Sequence, residues 1–131
     1  MQYQNFQSLE DLHEMLENKQ LITGKFLCKY DSQAFYDINC SDKIFKNCII
    51  VKGSFLSTQF VRCIFDNVVF RETEFITCFI DCEFRDCIFS NVDSGFTMEN
   101  TKVDNFSQFF EEERIMEYHI KRMEEKCLKI K

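Results

Sequence analysis

Phenylalanine, or an aliphatic residue in its place, recurs at every fifth position through the middle of this chain: Phe45, Ile50, Phe55, Phe60, Phe65, Phe70, Phe75 and Ile80. One residue then drops out, and the series resumes at Phe84 and Phe89. Two positions before each stands a mostly small residue: Lys43, Cys48, Gly53, Thr58, Cys63, Val68, Thr73, Cys78, Cys82 and Cys87. A period of five is neither helical nor a simple alternating strand. In extended backbone, side chains two apart point the same way, so each large–small pair shares one side. The chain must then turn before the next pair. Repeated turning of one hand makes a coil with its large residues inside. A single coil cannot bury its own phenylalanines, but a second coil stacked on it does.

The pentads Cys63-Ile64-Phe65-Asp66-Asn67, Cys82-Glu83-Phe84-Arg85-Asp86 and Cys87-Ile88-Phe89-Ser90-Asn91 follow the order small, polar or variable, large apolar, polar, variable. This pattern resembles the pentapeptide-repeat family. The resemblance implies a right-handed, four-sided parallel β-helix with four pentads per coil, a mainly β fold. It covers roughly residues 28–96, with a weaker register upstream through Cys40, Phe35 and Tyr30. An ordinary sandwich would need hairpin turns, and the chain has no Pro and only Gly24, Gly53 and Gly95 to make them. The missing residue between Ile80 and Phe84 predicts a tightened corner near Asp81 and Cys82, with Phe84 returning to the interior.

With 131 residues the chain is read as one domain: an N-terminal helix and cap over 1–27, the β-helix over 28–104, and a C-terminal helix over 105–131. No apolar run reaches the length of a membrane span and no basic leader opens the chain, so no membrane partner and a cytoplasmic location are expected. Of the eight cysteines, Cys28, Cys48, Cys63, Cys78, Cys82 and Cys87 are assigned to the small inward slot. There they serve as small hydrophobes. Cys63 beneath Cys82, and Cys28 beneath Cys48, would stack one coil apart at ~4.8 Å, with side chains parallel and therefore poorly aimed for a disulfide. Reduced thiols are expected. Zinc bound by Cys78, Cys82 and Cys87 is the alternative, but ligands must converge and the repeat spreads these three over successive sides.

Ser8-Leu9-Glu10-Asp11 reads as a capped helix start, with Leu9, Leu12, Met15 and Leu16 on one face and an end near Asn18. Leu21 to Leu27 reads as an extended lead-in. From Asn105 the pattern turns helical, with Phe109, Met116, Ile120, Met123, Cys127 and Ile130 as an apolar stripe. Acids lie early in this segment and bases late, which suits the helix dipole. Such a helix would either cap the solenoid or build a homodimer, with Met116, Ile120 and Met123 at the dimer centre.

No catalytic arrangement stands out. His13 and His119 lie in the terminal segments outside any recognisable motif, and there is no glycine-rich phosphate loop or paired-His metal motif. The chain is read as a non-enzyme without cofactor or metal. The charge is uneven: residues 66–104 hold nine acids against three bases. Direct nucleic-acid binding is therefore disfavoured. Asp66, Glu72, Glu74, Asp81, Glu83 and Asp86 are the candidate partner-binding acids. The resemblance adds a specific expectation, because some members of the family imitate DNA and occupy a DNA-acting enzyme. An inhibitor of a topoisomerase or a host-defence nuclease is the first functional expectation. The second is a protein-interaction module without any DNA-related target. It would use an outward aliphatic face of Ile49, Val69 and Ile88, stacked coil upon coil. Acids gathered on one continuous face favour the first, and acids scattered around the coil favour the second.

Overall fold

Phenylalanine rings stack directly on phenylalanine rings from one turn of this chain to the next, and the course of the backbone follows from that. The computed structural model describes residues 3–30, 39–92, 95–105 and 108–110, the last three for their backbone alone. One helix, α1 (Leu9–Asn18), precedes the strands β1 (Leu21–Leu27), β2 (Asn39–Ser41), β3 (Ile44–Val51), β4 (Ser54–Val61), β5 (Ile64–Arg71), β6 (Glu74–Ile80), β7 (Glu83–Arg85), β8 (Ile88–Ser90), β9 (Phe96–Glu99), β10 (Lys102–Val103) and β11 (Gln108–Phe110). Every strand pairing is parallel. The order β1-β3-β5-β7-β10, joined by β8 and β11, forms one sheet, and β2-β4-β6-β9 forms the other. The result is a mainly β solenoid of about four turns.

Register defines the interior. Ile22 lies under Phe45, Phe45 under Phe65, Phe65 under Phe84, and Phe84 under Val103. A second column runs Phe26, Ile50, Phe70 and Phe89, with the backbone of Phe109 in register above Phe89. The other sheet adds Phe55 under Phe75, and Cys40, Phe60, Phe79 and Met98 in sequence. Like rings stack nearly parallel: Phe45 on Phe65 at 4.7 Å and Phe65 on Phe84 at 4.6 Å between centroids. Rings in neighbouring columns meet edge to face, as Phe60 and Phe65 do at 5.5 Å. Both geometries suit the aromatic quadrupole. Phe65, Phe70, Phe75, Phe84 and Phe89 are all buried, and Cys63, Cys82 and Cys87 lie inside beside them, as the repeat predicts.

The turns between pairs use no Pro and almost no Gly. Instead, the residue two after most inward large side chains adopts the left-handed conformation: Asn47 after Phe45, Asn67 after Phe65, Asp86 after Phe84 and Asn91 after Phe89, at φ of 51–57°. Asn and Asp tolerate this region best. Lys52, Arg62 and Glu72 adopt it too, held there by the turns above and below. Gly53 fills a small slot for which no larger residue has room. A Cβ there would approach Phe55 to 2.9 Å and Ile50 to 3.2 Å.

The skipped residue lies elsewhere than the sequence suggests. Phe79, rather than Ile80, stacks on Phe60, with centroids 5.2 Å apart, and the register shifts opposite Leu56 and Thr58. Thr77 therefore takes the small inward slot, while Cys78 and Ile80 are half-exposed on the outside. What was deleted is a corner: Ser57 is left-handed in its turn, and β6 carries no counterpart. Asp81 keeps an ordinary left-handed corner, so no tightening occurs at Asp81 and Cys82. The five-step count misleads because Phe79 and Ile80 are adjacent apolar residues. A step of four from Phe75 fits as well as a step of five, and a ring stacks on Phe60 better than an aliphatic does.

Three further expectations are corrected. Tyr30 does not enter the interior: it is 43% exposed at a left-handed position. A register shift within β1 sets Gly24 opposite Cys48, so Cys28 does not stack beneath Cys48. Residues 108–110, expected to be helical, form β11 alongside β8. The remainder of the expected C-terminal helix, and Phe35, lie outside the described residues. At the other end, α1 begins at Ser8 with a capping box completed by Asp11. Its buried Leu9, Leu12 and Leu16 join the core and close the first turn.

The corrected register makes a clear prediction. Phe70→Ala and Phe79→Ala should each destabilise by about 3–5 kcal/mol, because each removes a ring from a filled stack. Ile80→Ala should cost about 1 kcal/mol or less, as a half-exposed position. Urea unfolding of the three variants decides it, and equal costs at Phe79 and Ile80 would contradict the assignment.

Candidate functional site: the outer faces of the solenoid

With the interior filled by side chains, chemistry and recognition are left to the outward residues and the corners. The aliphatic stripe comes first. Ile49 and Val69 are fully buried and Ile88 is 6% exposed, so they present no open surface. Together with Val51 they form a second, smaller core, covered by Tyr3, Phe6 and Leu27. The N-terminal segment is held there by backbone pairing: Gln7 N–H donates to Lys25 O at 2.7 Å, and Leu27 N–H donates to Gln7 O at 2.9 Å. Cations add to this cover. The Arg71 guanidinium, itself buried, sits 5.4 Å from the Tyr3 ring centroid, and Lys25 Nζ sits 5.4 Å from that of Phe6. The sequence pattern rightly found an apolar stripe needing a cover. It could not show that Tyr3 and Phe6, near the chain start, help supply one.

The candidate acids do not gather on one face. Asp66, Glu83 and Asp86 lie on or beside β5 and β7, Asp81 sits at the preceding corner, and Glu72 and Glu74 lie where the first sheet gives way to the second. Bases are interleaved with them. Arg85 stands opposite Asp66 in register and is bonded to Glu83 at 2.8 Å. Asp86 N–H donates to Asp104 Oδ2 at 3.0 Å, which ties one corner to the next turn. Glu74 accepts from Ser54 Oγ at 3.1 Å.

One corner is a ladder of alternating charge. Arg62 binds Asp42 in the turn below through two bonds, Nε to Oδ1 at 2.8 Å and Nη2 to Oδ2 at 3.1 Å. Asp81 lies at the same corner one turn above, near enough to raise the Arg62 pKa further. Asn100 Nδ2 donates to Asp81 Oδ1 at 2.5 Å. The neighbouring corner carries an uncharged version, in which Asn67 Nδ2 donates to Asn47 Oδ1 at 3.2 Å. The Arg62 hydrogen bonds hold the Asp42 carboxyl below its ordinary range, and Arg85 does the same for Glu83.

The thiols serve packing. Burial pushes Cys87 up to about 12 and Cys40 up to about 11. Cys63 is raised by its hydrogen bond to Cys82 and by burial; the same bond favours the thiolate of Cys82 against the effect of its burial. Cys78 faces outward while Cys82 and Cys87 face inward on successive sides of one turn, so the three do not converge on a metal. His13 lies on α1 with Nε2 3.7 Å from Glu17 Oε1. His119, and the expected dimer residues Met116, Ile120 and Met123, lie outside the described residues. Among the described residues, no helix is long and apolar enough to cross a membrane.

No protein-family model matches the sequence, and no curated protein matches it.

The ladder corner is open to titration. A carboxyl whose pKa is lowered in the folded state adds stability above its unfolded pKa and loses it as pH falls through the folded value. Asp42 should therefore titrate below an ordinary aspartate by carboxyl NMR, and Arg62→Gln should return it to the ordinary range. An Asp42 titration unmoved by Arg62→Gln would contradict the ladder.

Proposed function

We propose that this protein is a non-catalytic binding module of pentapeptide-repeat type, a right-handed four-sided β-helix that engages a protein partner in the cytoplasm through a mixed-charge surface. The four inward residues per turn, Phe45, Ile50, Phe55 and Phe60 before Phe65 stacks on Phe45, support the four-sided reading. An interior occupied by stacked rings supports action at the surface, and seven cysteines outside any disulfide among the described residues support a reducing compartment.

The observation that carries the reading is the interleaving of acids and bases: Asp42 with Arg62 and Asp81 at one corner, and Asp66, Glu83, Asp86 and Asp104 around Arg85 on the adjacent face. A pattern of both signs specifies a partner by matching each charge and by repelling wrong ones. A DNA imitation needs one sign along a continuous track, since B-DNA carries a charge per ~1.7 Å. The excess of nine acids over three bases in residues 66–104 still favours inhibition of a DNA-acting enzyme as the second reading.

Charge reversal separates the two. Immobilised full-length protein is exposed to lysate of the source cell, and the captured protein is then titrated against variants. Under the mixed-charge reading, Arg62→Glu with Arg85→Glu weakens capture about tenfold or more, as does reversal of Glu72, Glu74, Glu83 and Asp86 to Lys. Under DNA imitation the arginine reversals leave capture intact or tighten it, and duplex DNA displaces the target. Arg62, Glu74 and Arg85 are exposed, and substitutions there usually change stability by less than about 0.5 kcal/mol; Glu72, Glu83 and Asp86 are half-buried, so circular dichroism of each variant establishes that it is folded before capture is compared. Capture that survives both sets of reversals and high salt would contradict both readings.

A further inference from the structure

One face of the solenoid lies between two columns of left-handed corners, with Asp42, Arg62, Asp81 and Asn100 on one side and Asn47, Asn67 and Asp86 on the other. Up this face run Lys46, Asp66, Arg85 and Asp104, one from each turn. Lys46 is in register with Asp66, and Asp66 with Arg85. Asp104 N–H donates to Phe84 O at 3.1 Å, which continues the column past Arg85. Each residue follows a member of the column Phe45, Phe65, Phe84 and Val103, so its side chain points to the opposite, outer side. Lys46 and Arg85 are exposed, and Asp66 and Asp104 are half-buried. The bond to Glu83 raises the Arg85 pKa, and the charges of Asp66 and Asp104 add to it, as expected of neighbours in one ladder. The signs read plus, minus, plus, minus going up the face, and the reverse coming down.

We propose that this face binds a second copy of the chain, antiparallel, about a twofold axis that crosses the column between Asp66 and Arg85. Such an axis lays the column of one copy on the same column of the other, reversed. Arg85 then meets Asp66 of the second copy, and Lys46 meets Asp104 of the second copy, each contact occurring twice. Every charge faces its opposite. Sliding one copy by a single row sets like against like, and sliding it by two leaves half of the charges unmatched. A parallel copy would instead lay the charged column on Ile44 and Ile64, which stand beside Lys46 and Asp66. In the antiparallel arrangement Ile44 meets the methylene stem of Lys102 of the second copy, and Ile64 meets that of Glu83, whose carboxylate stays on Arg85. Four rows span only about 14 Å, so the contact is small. Charge rather than area holds it, which makes a weak dimer that salt dissociates.

This partner is named on the mixed-charge reading of the surface. Purified full-length protein tests it alone, so a failure here is distinct from a failure to capture a target from lysate. Sedimentation velocity over about a hundredfold range of concentration reads the mass. The unaltered protein should move toward twice the monomer mass as concentration rises, and return to monomer as salt is added. Arg85→Glu and Asp66→Arg should each weaken association about tenfold or more, because each sets like charges across the axis. Mixed one to one, the two variants should associate again, since each supplies the charge that the other lacks. Recovery in the mixture also shows that both are folded. Lys46→Glu changes an exposed position and should weaken association too, by repelling Asp104 of the second copy. If circular dichroism shows either of the first two variants unfolded, Lys46→Glu decides. Monomer at every concentration, a dimer indifferent to Arg85→Glu or to Lys46→Glu, or no recovery in a mixture of folded variants would overturn the proposal.

Discussion

Stacking of like on like in parallel register is the constraint on which the rest of this structure depends. Each turn places a large apolar side chain, mostly a phenylalanine ring, above that of the turn below, with Phe65 between Phe45 and Phe84 in one column and Phe70 between Ile50 and Phe89 in another. No ring is buried by its own turn alone, so each turn is stable only with its neighbours. The left-handed corners, which cost energy for residues such as Lys52 or Glu72, are held in place because the backbone on either side is bonded to the turns above and below. The small slots beside the rings follow as well. Cys63, Thr73, Cys82 and Cys87 are buried there, and Thr73, Cys82 and Cys87 each donate to a carbonyl of the turn beneath: Ile50, Phe60 and Phe65 respectively.

A filled interior moves the question of function outward. The outward positions include an aliphatic stripe that the chain covers with its own first residues, and faces and corners of mixed charge. The first is structural. The mixed-charge positions are the ones that a partner would meet, and their alternation of sign from turn to turn gives them more information than an unbroken acidic track would carry. The same repeat that orders the core also orders these charges, because outward residues stack in the same register as inward ones.

Much of this was legible in the sequence. The five-residue period, the buried phenylalanines, the inward cysteines other than Cys78, the capped helix at Leu9 and the strand at Leu21 all follow from local pattern, because each is enforced within a turn or by one stacked neighbour. The misreadings share a different cause. The skipped corner was placed at Asp81 because Phe79 and Ile80 both satisfy a local rule, and only the ring of Phe60 one turn away distinguishes them. Tyr30 and Cys28 were extrapolated past a register shift in β1 that no local signal marks. Ile49, Val69 and Ile88 were correctly found stacked outward, but their cover comes from Tyr3 and Phe6, more than forty positions away. The scatter of the acids became visible only once the turns were closed into two sheets.

The central claim is that Phe79, and not Ile80, completes the ring column over Phe60. Nuclear Overhauser effects in protein with selectively labelled Phe and Ile test it most directly. The account predicts contacts from the Phe79 ring to the rings of both Phe60 and Phe84, which lie 5.2 and 5.0 Å away between centroids, with the Ile80 methyls showing none to Phe60. Ile80 methyls in contact with the Phe60 ring, with Phe79 open to solvent, would contradict it.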